Sequence, residues 1–279
     1  MKLQTLNLLN PQKSDISVRT LTFNDGEPHI WLGDIDRKAY VHVWCRVANP
    51  NDLFILMQVG DILNRQGVEW DLHIAYLMGM RMDRVMSFGE AFSLKVVADA
   101  INSLQADSVE VYEPHSDRTT ELIKHCTELT LYHAPDMEPY ITVFPDEGAK
   151  ERYQFETIRN GSDFYCRKRR DPETGQILSL ELDEHADNVV ERHPGKPFLV
   201  LDDLCDGGGT FVRVADILAE RWPDRERHIY VTHMVNPKGI KALAQHYHRV
   251  TFTNSFRDWQ NEELPPNVTV KLIEWHETA

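Results

Sequence analysis

The chain has little cysteine and no paired arrangement of it. Cys45, Cys126, Cys166 and Cys205 are its whole complement, spaced too widely for a zinc ribbon and too few for a disulfide scaffold. Free thiols are expected. No apolar run approaches the ~20 residues that a membrane helix needs. The opening MKLQTLNLLNPQK has no long apolar stretch of the signal-peptide kind, so a cytoplasmic protein with no membrane partner is expected. Positive charge is also scarce: 30 Lys and Arg against 44 Asp and Glu leave a net charge of -14, which repels nucleic acid over most of the surface. GxxxxGK[ST], GxGxxG and HExxH are all missing, which excludes a mononucleotide P-loop, a dinucleotide fingerprint and a helical zinc-protease motif. Despite thirteen histidines, His246 and His248 sit in a polar stretch and read as surface residues.

What is present is a large apolar fraction, 42% of 279 residues, enough for one large core or two smaller ones. Short β-branched runs alternate with longer segments of helical spacing, the pattern of an α/β fold with mostly parallel sheets. YVHVWCRV, WDLHIAYL and SVEVYEP read as strands in the first half, separated by the helical stretches NDLFILMQVGDILNRQG and AFSLKVVADAINSLQA. The second half repeats the rhythm. YITVFPDEG enters a helix over AKERYQFETIRNG, a strand pair surrounds a basic Pro- and Gly-bearing loop, and PFLVLDDLC leads through glycines into an amphipathic helix. HIYVTHMV, RVTFTNSF and VTVKLIEW supply further strands. No linker rich in Pro, Gly or Ser is present, so a boundary near residue 140, giving domains 1–140 and 141–279, is inferred from the repeat alone.

LVLDDLCDGGGTF carries the most chemistry. In parallel sheets, ligands bind where strands end and helices begin. Gly207, Gly208 and Gly209 let the backbone turn tightly and aim N–H groups at a phosphate, with the helix N-terminus behind them, and Thr210 adds a hydroxyl. Asp202 and Asp203 suit the vicinal hydroxyls of a ribose, or a magnesium ion through water, and Asp206 can accept a hydroxyl hydrogen. An ordinary βα turn whose glycines allow close packing is the plain alternative. Cys205 within this loop reads as a small buried thiol.

LVLDDLCDGGGT resembles the loop that binds the ribose 5-phosphate part of phosphoribosyl pyrophosphate, shared by type I phosphoribosyltransferases and phosphoribosyl pyrophosphate synthetases. FNDGE at 23–27, RMDR at 81–84, GEAFSLKVVADAI at 89–101, EPHSD at 113–117, FPDEGAKERY at 144–153 and CRKRR at 166–170 follow in the order of the synthetases. That resemblance implies two similar phosphoribosyltransferase-type α/β domains, the first binding ATP and the second the sugar phosphate, with the active site between them. It implies transfer of the β,γ-diphosphate of ATP to the 1-hydroxyl of a 5-phosphorylated ribose, with Mg2+ as cofactor and a homo-oligomer as the assembly.

The resemblance also assigns residues. Phe23, Asp25 and Glu27 would hold adenine; Arg81, Asp83 and Arg84 the ATP phosphates; His115 and Asp146 the metal; Lys168 and Arg170 would be the catalytic cations. The sequence departs from the family at Met82, where Gln is usual, at Met86 in place of an acid, and at Gly207 to Gly209, where Thr-Ala-Gly or Thr-Gly-Gly is usual. The last change removes a hydroxyl donor and opens space beside the 5-phosphate. The chain is compact, and the stretch after EPHSD lacks the segment that contributes to effector binding. It looks like the short, divergent synthetase-like proteins of phages, some of which use ADP-ribose in place of ribose 5-phosphate and make ADP-ribose pyrophosphate for rebuilding NAD. Either acceptor is compatible with the sequence. A type I phosphoribosyltransferase would need only one such domain, and a non-catalytic regulatory subunit would have lost the cations that stand here.

Overall fold

The computed structural model describes residues 2–130, 134–157, 161–170, 177–259 and 261–275, with side chains for all of these but 154–157, 168–170 and 177–178. It divides into one unit of Met1–Thr130 with Glu274–Ala279 and another of Leu131–Ile273.

In the first unit, β1 (Lys2–Asn7) runs into a hairpin of β2 (Val18–Thr22) and β3 (Pro28–Leu32), which pairs antiparallel as a separate ribbon. Next come β4 (Ala39–Val47), α1 (Pro50–Gln66), β5 (Trp70–Leu77), α2 (Ser93–Ser103), β6 (Val109–Tyr112), α3 (Arg118–Leu122) and β7 (Cys126–Leu129). The sheet has the order β1-β4-β5-β6-β7 and every pair is parallel. Local chemistry sets the boundaries of α1. The Asn49 side chain accepts from the N–H groups of Asn51 and Asp52, Asp52 accepts back from Asn49, and Pro50 takes the first turn, where its missing N–H costs nothing. Gly67 ends the helix at φ +69°. Val41, Val43 and Cys45 on β4 are buried, while the alternate residues Tyr40, His42 and Arg46 are half-buried.

The second unit contains β8 (Ile141–Phe144), α4 (Glu147–Thr157), β9 (Asp163–Arg170), β10 (Ile177–Leu182), α5 (Ala186–Arg192), β11 (Phe198–Cys205), α6 (Gly209–Arg221), β12 (Arg227–Met234), α7 (Pro237–His246), β13 (Arg249–Thr253) and β14 (Val268–Lys271). The expected continuation of α4 toward Gly161 crosses residues outside the described set, as does the Pro- and Gly-bearing loop at 171–176, and the basic run at 167–170, expected in that loop, lies on β9. Among the described residues the sheet has the order β10-β9-β8-β11-β12-β13-β14, parallel except for β10 with β9. Its central strand reads FLVL because both faces are covered. Phe198 and Val200 join the α5, α6 and α7 residues Val189, Val214 and Leu243 on one side. Leu199 and Leu201 pack with Tyr153 of α4 and Phe144 on the other.

From β8 the chain moves to β9 and β10 on one side, and from β11 to β12, β13 and β14 on the other. The C-terminal ends of β8 and β11 therefore form the crevice that such a reversal opens in a parallel sheet. In the first unit, Gly79 follows β5 at φ +83°, and a Cβ there would stand 3.2 Å from the Ser93 carbonyl oxygen. Gly79→Ala is expected to destabilise this unit by about 1–3 kcal/mol, read as an earlier denaturant midpoint with unchanged slope.

Candidate active site

The second unit gathers Asp146, Asp202, Asp203 and the glycine loop at the crevice between β8 and β11. Asp146 follows β8, is half-buried, and its Oδ1 accepts the Ala149 N–H at 2.9 Å, so it caps the start of α4. Asp202 and Asp203 end the apolar run of β11. Asp203 is 1% exposed, and its N–H donates to the Asp202 carboxylate at 2.9 Å. Two adjacent carboxylates at such depth require a counter-charge. Arg152 supplies it: one guanidinium nitrogen lies 3.2 Å from Asp202 and 2.6 Å from Asp203. Burial by itself disfavours the charged guanidinium, but Asp203, Tyr153 and Asp202 outweigh it and Arg152 holds its proton more tightly than usual. Asp202 is pushed the other way. Burial first and the neighbouring Asp203 second raise its carboxyl well above the ordinary range, and Arg152 only partly offsets them.

Beyond these acids the loop changes character. Asp206, Gly207 and Gly209 are exposed and Gly208 is buried at φ +81°. A Cβ at Gly207 or Gly209 would meet nothing within 4 Å, so the backbone there fronts open space at the start of α6. α6 begins without a side-chain cap, leaving its first N–H groups directed at that space. Thr210 is half-buried in the first turn. The first turn of α7 holds the other flank: Asn236 donates to Asp206 at 3.0 Å and accepts from the Lys238 N–H. Gly239 lies so close to the loop that a Cβ would stand 2.1 Å from the Asp206 carbonyl oxygen. Cys205 is fully buried, and burial, with Asp202 and Asp206 adding to it, lifts its thiol to about 12. It is a packing residue, as its sequence context suggests.

The first unit gathers a second group at the ends of β5 and β6. Arg81 and Arg84 are exposed, whereas Asp83 is buried. Arg84 grips both oxygens of Asp83, Nε at 2.8 Å and a terminal nitrogen at 2.9 Å. This fork, with the nearby Ser116 and His115 adding to it, lowers the Asp83 carboxyl to about 2. RMDR and EPHSD are therefore one local cluster. Phe23, Asp25 and Glu27 lie on the exposed tip between β2 and β3, where the Phe23 N–H donates to the Glu27 carbonyl and Asp25 accepts from the Glu27 N–H. Lys168 and Arg170 lie on β9, with backbones opposite Leu180 and Ile177 of β10; their side chains fall outside the described set.

Sequence reasoning missed Arg152, although it stands inside FPDEGAKERY. The available signal was the pair of acids itself, which needs a cation, and Arg152 is three residues past buried Ala149 on the same helical face. Asn236 and Gly239 were missed because NPKG reads as a turn until its contact with Asp206 is seen.

Arg152→Ala leaves two carboxylates buried without their cation and is expected to cost about 3–5 kcal/mol at neutral pH. A raised buried carboxyl keeps its stability while protonated and loses it as pH rises through its folded value. The gap between variant and wild type should therefore shrink toward pH 4 in thermal melts across pH. Asp83 has the opposite sign: its depressed carboxyl contributes stability above the ordinary carboxylate range, lost as pH falls toward about 2. Asp83→Asn should flatten the acid limb of the first unit's unfolding profile.

No family model matches the chain. It is 27% identical over 212 residues to the ribose-phosphate pyrophosphokinase of Sulfurisphaera tokodaii, covering 71% of this chain and 70% of that protein. To that of Pyrococcus furiosus it is 26% identical over 252 residues, 86% of each. The crystal structure of phosphoribosylpyrophosphate synthetase from Mycobacterium smegmatis superposes with a TM-score of 0.78 at 18% identity, covering 98% of this chain and 95% of that one. The chain thus has the fold of a phosphoribosylpyrophosphate synthetase, with two phosphoribosyltransferase-type domains, and is similar over most of its length to ribose-phosphate pyrophosphokinases.

Proposed function

We infer that the protein is an ATP-dependent pyrophosphokinase that moves the β,γ-diphosphate of ATP to the 1-hydroxyl of ribose 5-phosphate and releases AMP. The observation that carries this reading is the pair Asp202 and Asp203 leading into an open glycine loop at the start of α6, within a chain similar along most of its length to enzymes of that name. In this reading Asp202 and Asp203 orient the ribose hydroxyls, Arg152 keeping the pair in place. The N–H groups of 207–210 and the Thr210 hydroxyl receive the 5-phosphate. Arg81 and Arg84 take the ATP phosphates, with Asp83 aligning Arg84, and Phe23, Asp25 and Glu27 take the adenine. Lys168 and Arg170 counter the charge that grows on the diphosphate as the 1-hydroxyl attacks in line. The hard oxygens of Asp146 beside Asp202 suit Mg2+, and His115 beside Asp83 is the metal-site residue that the family resemblance assigns. Bound magnesium would supply charge neutralisation on the diphosphate.

ADP-ribose is the second acceptor the loop supports. Its 5-phosphate is esterified and has to continue outward, and the unfilled space beside Gly207 and Gly209 gives it a path. A homo-oligomer in the cytoplasm is the setting this reading expects.

Purified protein with Mg2+, ATP and either ribose 5-phosphate or ADP-ribose should yield AMP and the matching pyrophosphorylated sugar, measured by mass. Product from ribose 5-phosphate supports the first reading and product chiefly from ADP-ribose the second; AMP from neither would refute both. Lys168→Ala is expected to lower kcat about 10²–10³-fold without moving the thermal midpoint. Gly207→Thr, which closes the open side, should shift the acceptor ratio toward ribose 5-phosphate by about tenfold; an unchanged ratio would remove the argument from the open loop.

A further inference from the structure

On the first unit's sheet, three adjacent strands bring metal-binding side chains to one face. His42 of β4 lies opposite Asp71 of β5, and His73, two residues on, lies opposite Glu110 of β6. His42 Nδ1 is 2.9 Å from one Asp71 oxygen and 3.0 Å from the other. His73 Nε2 is 3.1 Å from that first oxygen. One ligand atom from each of His42, Asp71 and His73 can be chosen so that all lie within 4.8 Å of one another. Tetrahedral coordination with bonds of about 2.0–2.2 Å puts donor atoms roughly 3.3 Å apart. The two nitrogen-to-carboxylate separations are already near that value, so only the imidazoles must close on each other.

The surroundings resemble those that fix a metal-bound histidine. A ligating imidazole characteristically gives its other N–H to a carboxylate, which sets the tautomer. His73 Nδ1 meets Glu110 at 2.6 Å, leaving Nε2 for a cation. Trp44 stacks on the His73 ring at 4.0 Å and 11°, holding its plane, and Tyr40 meets His42 edge-on at 5.4 Å. Two carboxylates against two imidazoles make the spot electronegative.

We propose that His42, Asp71 and His73 form a binding site for one zinc-class divalent ion, with Glu110 orienting His73 and water completing the coordination. Two nitrogens and one oxygen select a late first-row metal over magnesium. The site is distinct in residues and in metal preference from Asp146 and His115, and the ion would clasp β4 to β5.

The test uses the full chain, tag removed and metal-stripped, titrated with Zn2+ against a chromophoric chelator and, separately, with Co2+ followed by visible absorption. One equivalent of Zn2+ per chain is expected, with a Co2+ spectrum of low-symmetry nitrogen and oxygen coordination that Zn2+ abolishes. His42→Gln with His73→Gln should lose both signals, and Glu110→Gln should weaken Zn2+ about 10–100-fold. Asp146→Ala should leave Zn2+ binding unchanged. Absence of Zn2+ binding, or binding that survives the double histidine substitution, overturns the proposal. The Co2+ spectrum of the unaltered chain keeps the test decisive should the double variant fail to fold, since a spectrum of purely aqueous Co2+ also overturns it.

Discussion

The placement of Arg152 between Asp202 and Asp203 is the interaction on which the crevice at the ends of β8 and β11 depends. The acids stand where an apolar central strand runs out, one of them fully sequestered. Two like charges in that position would separate or neutralise by protonation. Arg152 holds them together, and its own position is fixed by neighbours on α4: Ala149 and Tyr153 pack against the sheet. A core contact thus sets the geometry of a polar site. Asp202 nevertheless remains raised, because burial and the neighbouring Asp203 outweigh Arg152.

Around that pair the sheet provides the crevice and the helices its walls. The reversal of strand order between β8 and β11 brings Asp146 beside Asp202. α6 starts at the crevice with uncapped N–H groups, and α7 closes its flank through Asn236 and the close approach of Gly239. In the first unit the same principle recurs with the opposite charge emphasis. A buried acid, Asp83, aligns an exposed arginine and fixes one side of its guanidinium.

Much of the fold was legible because strands of a parallel sheet are short, apolar and punctuated. FLVL, YITVF and YVHVWCRV are read directly as strands, and Asn49 and Gly67 mark the ends of α1. The hairpin of β2 and β3 and the helix α7 were not read. VRTLT and PHIWL carry mixed polarity because the ribbon is largely exposed, and NPKGIKALAQH opens with two residues of turn chemistry that here serve as a helix cap. Of the candidate site, the glycine loop and its acids were legible because their chemistry is contiguous. Arg152 was not, because its meaning lies in a carboxylate pair fifty residues on.

By itself the sequence determined an α/β protein of net negative charge with free thiols, a glycine-rich loop after paired acids, and the order of motifs that links it to pyrophosphokinases. Those properties are local: composition, periodicity and residues adjacent along the chain. Only the tertiary structure decided that Asp83 is a buried anchor for Arg84, that Gly207 and Gly209 face open space while Gly239 cannot accept a Cβ, and that His42, Asp71, His73 and Glu110 share one face of a sheet. For the last of these, strand pairing is the physical reason. It places residues about thirty to forty positions apart within hydrogen-bond distance, through a register that no single strand encodes.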